Sequence, residues 1–166
     1  MKYYIIILTF CISIQGYAQD KQNDATWNET IEFINDNIRA IRGKIIWGDI
    51  IKSQTVESTL SFDKTTITVK NKSTSENYSM DDIRSLNLFD LSYASLTKGN
   101  DYSYIMLTPR ENGMVVCKED YGTSPCNFVE VGVESEDMKQ RVLKAFKHLA
   151  YLSNKRYAER KAKSKF

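Results

Sequence analysis

Of the three cysteines in this chain, Cys117 and Cys126 stand either side of Lys118–Pro125, and the sequence places strands before and after that stretch. In an oxidising compartment such a pair suggests a disulfide stapling a hairpin. The alternative, a reactive or metal-binding thiol pair, lacks the C-x-x-C spacing and has no histidine nearby. The one histidine, His148, would be needed by any Ser-His-Asp or Cys-His site. It lies off the centre of the apolar stripe of a Lys-rich segment, so it reads as a solvated surface residue. Asp81-Asp82 and Glu119-Asp120 are adjacent carboxylates, which favour turns. They can serve glycoside hydrolysis only if folding sets two carboxyl groups roughly 5–10 Å apart. No Gly-rich phosphate loop, HExxH or calcium-loop spacing occurs. The sequence therefore assigns no catalytic residue, no cofactor and no metal site.

Binding chemistry has more to stand on. The final stretch, KRYAERKAKSKF, carries Lys155, Arg156, Arg160, Lys161, Lys163 and Lys165. These residues can engage anionic lipid, an anionic glycan or an acidic protein with salt-sensitive affinity, or simply form a solvated helix end. From Lys139 to Phe166 the net charge is +9, and from Gln19 to Met138 it is −8. The acidic body argues against a wide basic groove for nucleic acid. Tyr93, Tyr102 and Tyr104 gather beside the stretch Leu91–Asp101, read as a loop. Aromatic residues in that position can line a ligand groove, although strands favour them for packing alone.

The elements that position these residues begin with the C-terminal helix, expected from Ser135 to about Leu152. Val142, Ala145, Phe146, Leu149 and Leu152 recur at spacings of three and four and form one stripe. Lys139, Lys144, Lys147 and His148 fall mostly away from it. Ser135 suits the N-cap, with Glu136 and Asp137 in the first turn. A first helix is expected from the capping box Thr26-x-x-Glu29. Its stripe is Trp27, Ile31, Ile34, Ile38 and Ile41, with Gly43 as the stop.

Between the helices the pattern turns to strands. Thr55–Phe62 and Thr66–Lys70 read as a hairpin about Asp63-Lys64. Asn71–Asn77 reads as a polar connector to a short segment containing Tyr78. Asp82–Phe89 is ambiguous between strand and short helix. Tyr102–Thr108, Met114–Lys118 and Phe128–Val133 read as strands, with a turn at Glu111-Asn112-Gly113. Lys44–Lys52 is apolar and stays open between strand and loop.

The fold class expected is α+β: an N-terminal helix, then a bent antiparallel meander or small barrel of five to seven strands, then a long closing helix. Over Thr55–Leu152 this order, with the closing helix around Ala145–Leu149, resembles the pleckstrin-homology-like superfold. That resemblance implies a non-enzymatic module for lipid headgroups, peptides or proteins, although one fold hosts many functions.

The remaining segment gives an address. Met1–Gln19 has Lys2, a mostly apolar run Tyr3–Ile14, and small residues Gly16 and Ala18 before Gln19. This is the pattern of a secretory signal cleaved between Ala18 and Gln19, and the run is too short to span a bilayer. Phe10 before Cys11 is bulky where a lipid-modification box wants a small residue. The Gln after the cleavage site and the Ile/Lys/Asn-rich usage resemble exported proteins of Bacteroidetes-type bacteria. The expected organisation is a signal peptide at 1–18, one domain at 19–152 and a basic helical tail at 153–166, with no transmembrane segment in the exported chain. Length and the 42% hydrophobic content fit one domain with a real core. The function expected is binding, without chemistry, of lipid, glycan or protein at the cell envelope. The alternative is an envelope glycan or peptide hydrolase using carboxylates the sequence does not single out.

Overall fold

The computed structural model describes residues 24–37, 44–47, 50–60, 65–75, 78–98, 103–111, 113–119, 122–133 and 135–164. Among them the architecture is α+β, with two α-helices and nine strands in two antiparallel sheets. Helix α1 covers Trp27–Asn37. Strands β1 (Lys44–Trp47), β2 (Ile50–Leu60), β3 (Thr65–Ser75) and β4 (Tyr78–Asn87) follow as a meander. A single 3-10 turn, Leu88–Asp90, leads into β5 (Leu91–Lys98) and β6 (Ser103–Pro109). Then come β7 (Val115–Glu119), β8 (Gly122–Cys126), β9 (Val129–Val131) and helix α2 (Glu136–Lys163). One sheet has the order β1-β2-β3-β4-β7-β8 and the other β5-β6-β9, and neither closes into a barrel.

Several expectations hold. The capping box forms: Thr26 N donates to Glu29 Oε2 at 2.6 Å, and Glu29 N donates to Thr26 Oγ1 at 3.3 Å. Two orphan donors at the start of α1 are thereby satisfied. Ile34 is fully buried and Trp27 and Ile31 pack against the core. The expected extension through Ile38 and Ile41 to Gly43 lies outside the described residues. The hairpin forms as β2 and β3, with Leu60 opposite Thr65. Ile67 and Val69 are buried together, as alternation requires. Ser135 caps α2, its hydroxyl accepting from Met138 N at 3.4 Å.

Other expectations are corrected. Strands number nine among the described residues, not five to seven. Asn71–Asn77 is not wholly a connector, because β3 continues to Ser75 opposite Tyr78. Asn71, buried there, donates from Nδ2 to Asp82 of β4 at 3.1 Å. Lys44–Lys52 resolves into β1 and the start of β2. Leu91–Asp101 is not a loop: Leu91–Lys98 is β5, paired with β6. The segment after Cys117 holds β8, which pairs with β7, while β9 joins β6 in the other sheet. Asp81-Asp82 lies within β4 and not in a turn.

The core sits between the sheets and α2. Ile67, Leu86, Leu107, Val129 and Phe146 are among its fully buried members. Helix α2 lies chiefly along β5, and α1 packs against α2. Two polar side chains of α2 are buried against expectation. His148 is 1% exposed, and its Nε2 lies 2.6 Å from the Ala25 carbonyl oxygen. Lys139 donates to Ser103 Oγ at 2.6 Å and to Glu136 Oε2 at 2.7 Å. Neither is a solvated surface group, because chain entering α1 covers one and β6 covers the other.

Candidate functional site

A groove runs where the start of α1, the 3-10 turn and the last turns of α2 meet. It encloses about 440 Å³ and is lined by Trp27, Asn28, Phe89, Leu152, Lys155, Arg156 and Glu159. The residues arrive there for separate local reasons. The Thr26–Glu29 capping box fixes where α1 begins, and so places Trp27. The Asn87 side chain accepts from Phe89 N at 3.0 Å, which turns the chain out of β4 and presents Phe89. Helix α2 runs unbroken through Leu152 and Ser153 to Lys163, which carries Arg156 over the two rings and Lys155 to the groove wall.

Trp27 and Phe89 stack with centroids 4.8 Å apart and planes 10° from parallel. The Arg156 guanidinium lies 4.7 Å from the Phe89 centroid and 5.7 Å from that of Trp27. A cation over aromatic faces keeps its charge while shedding little hydration, because guanidinium is weakly hydrated. Its outer edge still presents N–H donors to a ligand. Lys155 and Arg156 are exposed, as is Glu159.

A hollow of about 60 Å³ lies on the far side of Phe89 and Arg156, lined also by Asp90, Arg110, Ser153, Tyr157 and Arg160. Arg110 holds this side together. Its Nη2 donates to the Phe89 carbonyl at 3.2 Å and to Ser153 Oγ at 2.6 Å, and its guanidinium lies 4.3 Å from the Tyr157 centroid. Ser153 Oγ donates in turn to the Phe89 carbonyl. The Phe89 carbonyl of the 3-10 turn is thus tied to α2 by Ser153 directly and through Arg110.

The expected site residues divide. Lys155 and Arg156 line the groove and Arg160 the hollow beside it. Lys161 and Lys163 lie on the exposed last turns of α2, and Lys165 lies outside the described residues. Tyr93 and Tyr104 share the outer face of β5 and β6 but stand opposite Thr108 and Thr97 respectively. Four ladder positions separate them, about 13 Å along the strands. Tyr102 lies outside the described residues. Trp27, Phe89 and Arg110 were not singled out by sequence: Trp27 reads as one more member of a core stripe, and Phe89 and Arg110 are turn residues with no spacing signal.

Cys117 and Cys126 are at disulfide distance, with Cα atoms 5.9 Å apart. They lie across β7 and β8, where Cys117 faces Ser124 and Cys126 faces Val115. Asp82 and Arg84 form an ion pair of 2.8 Å, and Asn71 Nδ2 donates to the same Asp82 oxygen at 3.1 Å. Asp81 is exposed and Asp82 buried, so these neighbours point to opposite faces of β4 and do not converge. The side chains of Glu119 and Asp120 lie outside the described residues. Among the described residues no cluster of three or more His, Cys, Asp or Glu side chains could hold a metal, and no helix is long and apolar enough to cross a membrane.

Compared with known proteins, the chain matches no family model, no curated protein and no solved structure. The class is therefore set by architecture alone: an α+β domain of two open antiparallel sheets, backed by a long helix with a basic end.

Proposed function

We propose that this chain is an exported, non-catalytic binding domain that takes an anionic partner of the cell envelope at the groove between α1, the 3-10 turn and α2. The observation that carries the reading is Arg156, seated on the stacked Trp27 and Phe89 rings with Lys155 beside it. The aromatic platform holds the cation in place, so an arriving anion meets a charge whose conformational freedom is already spent. Beyond the groove the helix continues as an exposed basic rod through Arg160, Lys161 and Lys163. That rod extends the positive field along the approach.

Export is supported by the signal pattern of Met1–Gln19 and by a cysteine pair suited to an oxidising compartment. The meander followed by a closing helix supports reading the fold as pleckstrin-homology-like, a class that hosts binding modules.

The test is titration with dextran sulfate, a soluble polyanion, at low ionic strength. Binding is expected to weaken steeply with salt. The double reversal Lys155→Glu, Arg160→Glu is expected to weaken it by about tenfold or more. A wild-type chain that ignores the polyanion, or a double variant that binds as well as wild type, would overturn the reading.

A further inference from the structure

Three large hydrophobic side chains stand exposed among the described residues: Tyr93 at 58%, Met114 at 62% and Tyr157 at 44%. Tyr93 and Met114 are tied to Arg110 through neighbouring backbone, and Tyr157 touches it across the fold. Tyr93 pairs with Thr108 on β6, two residues before Arg110. Arg110 N donates to the Asp90 carbonyl at 2.9 Å, which closes the end of that ladder. Met114 follows Gly113, whose N donates to the Arg110 carbonyl at 2.8 Å. A Cβ built on Gly113 would lie 3.0 Å from the Cβ atoms of Asp90 and Pro109, so this turn is pressed against the strand ends. Tyr157 lies under the Arg110 guanidinium. Asn154 Nδ2 donates to the Ser92 carbonyl at 2.9 Å, which brings this part of α2 alongside the start of β5, the strand whose outer face carries Tyr93.

Elsewhere the described surface leaves no large apolar side chain so exposed. Isolated exposed hydrophobics need no explanation, but their gathering at one end of a domain does. Cations stand near Tyr157. Lys161 is one helical turn beyond Tyr157, and Arg156 and Arg160 line the hollow next to Arg110. Against these cations the same end carries Asp90, Glu111 and Glu159.

We propose that this end of the molecule is a docking face for an anionic lipid surface. Tyrosine suits the headgroup layer, with an apolar ring and a polar tip, and methionine adapts to the acyl boundary below it. Arginine and lysine at the same depth meet the lipid phosphates, each contributing through attraction that salt screens. A soluble anion would use the cations alone and gain nothing from Tyr93 or Met114. A flat anionic interface uses both sets at once, and this charge and polarity match selects lipid as the occupant. The inference rests on the anionic-partner reading above and assigns that partner's source.

The experiment is flotation of the chain from Gln19 onward, which holds every described residue. The probes are phosphatidylcholine vesicles with and without phosphatidylglycerol, with dextran sulfate titrated in parallel. Wild type is expected to float only with the phosphatidylglycerol vesicles. The exposed-residue double variant Tyr93→Ser, Met114→Ser is expected to lose about tenfold in vesicle partitioning while keeping its dextran sulfate affinity. Lys161→Glu is expected to weaken both. Wild type that binds dextran sulfate yet ignores the vesicles would overturn the lipid assignment and leave the anionic groove standing. Loss of both would overturn both. Unchanged flotation of the Tyr93→Ser, Met114→Ser variant would overturn the docking face even with binding intact. Concentration-dependent dimers abolished by the same variant, without flotation, would reassign the face to a second copy of this chain and overturn the lipid occupant.

Discussion

His148 Nε2 lies 2.6 Å from the carbonyl oxygen of Ala25, a contact spanning 123 residues. It joins the middle of α2 to the chain just before α1. Bonded to a carbonyl acceptor, Nε2 carries the proton, which leaves Nδ1 buried without a partner. The groove depends on this contact, because it helps hold the entry to α1, and hence Trp27, against α2.

His148→Leu should therefore destabilise the fold by about 1 kcal/mol, the net worth of one hydrogen bond to a half-buried carbonyl. Urea unfolding at neutral pH measures it. His148→Gln keeps an N–H donor and should recover part of the loss. Equal stability of the leucine variant and wild type would mean that the Ala25 carbonyl finds water.

The capping box makes the start of α1 sensitive to acid. The Thr26 backbone N–H, then the Thr26 hydroxyl, hold the Glu29 carboxyl below its ordinary range. A carboxylate whose folded pKa is lowered adds stability above its unfolded pKa. That stability is lost as pH falls through the folded value. Helix α1 should thus loosen before the core does as pH drops through the carboxylate range. Glu29→Gln should flatten this part of the pH–stability curve. Amide exchange at Glu29 and Thr30, followed against pH, reads the effect. An identical profile for both proteins would remove the capping box as its cause.

How much of this was legible in the sequence depends on how local each determinant is. Thr26 and Glu29 are three residues apart, so their pairing was readable. The stripe of α2 was readable through Leu149 for the same reason. Strand β5 was not, because the register shifts between Leu91 and Tyr93. Leu91 and Ala94 are therefore both buried at a spacing of three, which breaks the period of two that marks a strand. Strand β8 contains Gly122 and Pro125, which read as loop residues. It lies at the end of its sheet, where a proline costs no ladder bond on the open side. The site was the least legible part. Trp27, Phe89 and Arg156 meet only after a long-range packing step that no spacing encodes.

The cysteine pair gives a prediction that combines mass with stability. The oxidised protein should be about 2 Da lighter than the reduced one, because bond formation removes two hydrogens. The bond would close a loop between cysteines separated by 9 residues. The Cys117→Ser, Cys126→Ser variant should lose about 2 kcal/mol, at the low end for a disulfide because the loop is short. Cys117 is fully buried, so the serine there also costs some packing. Comparing wild type with and without reductant isolates the bond itself. Equal masses under both conditions would show that the thiols are free.

Gly113 makes a sharper test of how the docking end is built. A Cβ there would meet Asp90 Cβ and Pro109 Cβ at 3.0 Å and the Arg110 carbonyl oxygen at 3.2 Å. Two of these neighbours belong to the backbone or to a proline ring and cannot swing away. Gly113→Ala should force the turn off the strand ends and cost about 1–3 kcal/mol, the usual range for overpacking. The strain has a direction. It would push on Asp90 and Pro109, and so on the bond from Arg110 N to the Asp90 carbonyl that closes the β5–β6 ladder. Arg110 would then lose its alignment with Ser153 and the Phe89 carbonyl. Both stability and vesicle flotation should fall for Gly113→Ala, whereas Met114→Ser, one residue on and exposed, should lower flotation with stability unchanged. If Gly113→Ala folds as stably as wild type, the turn has room to relax, and Arg110 is held by Ser153 and the Phe89 carbonyl without help from Gly113.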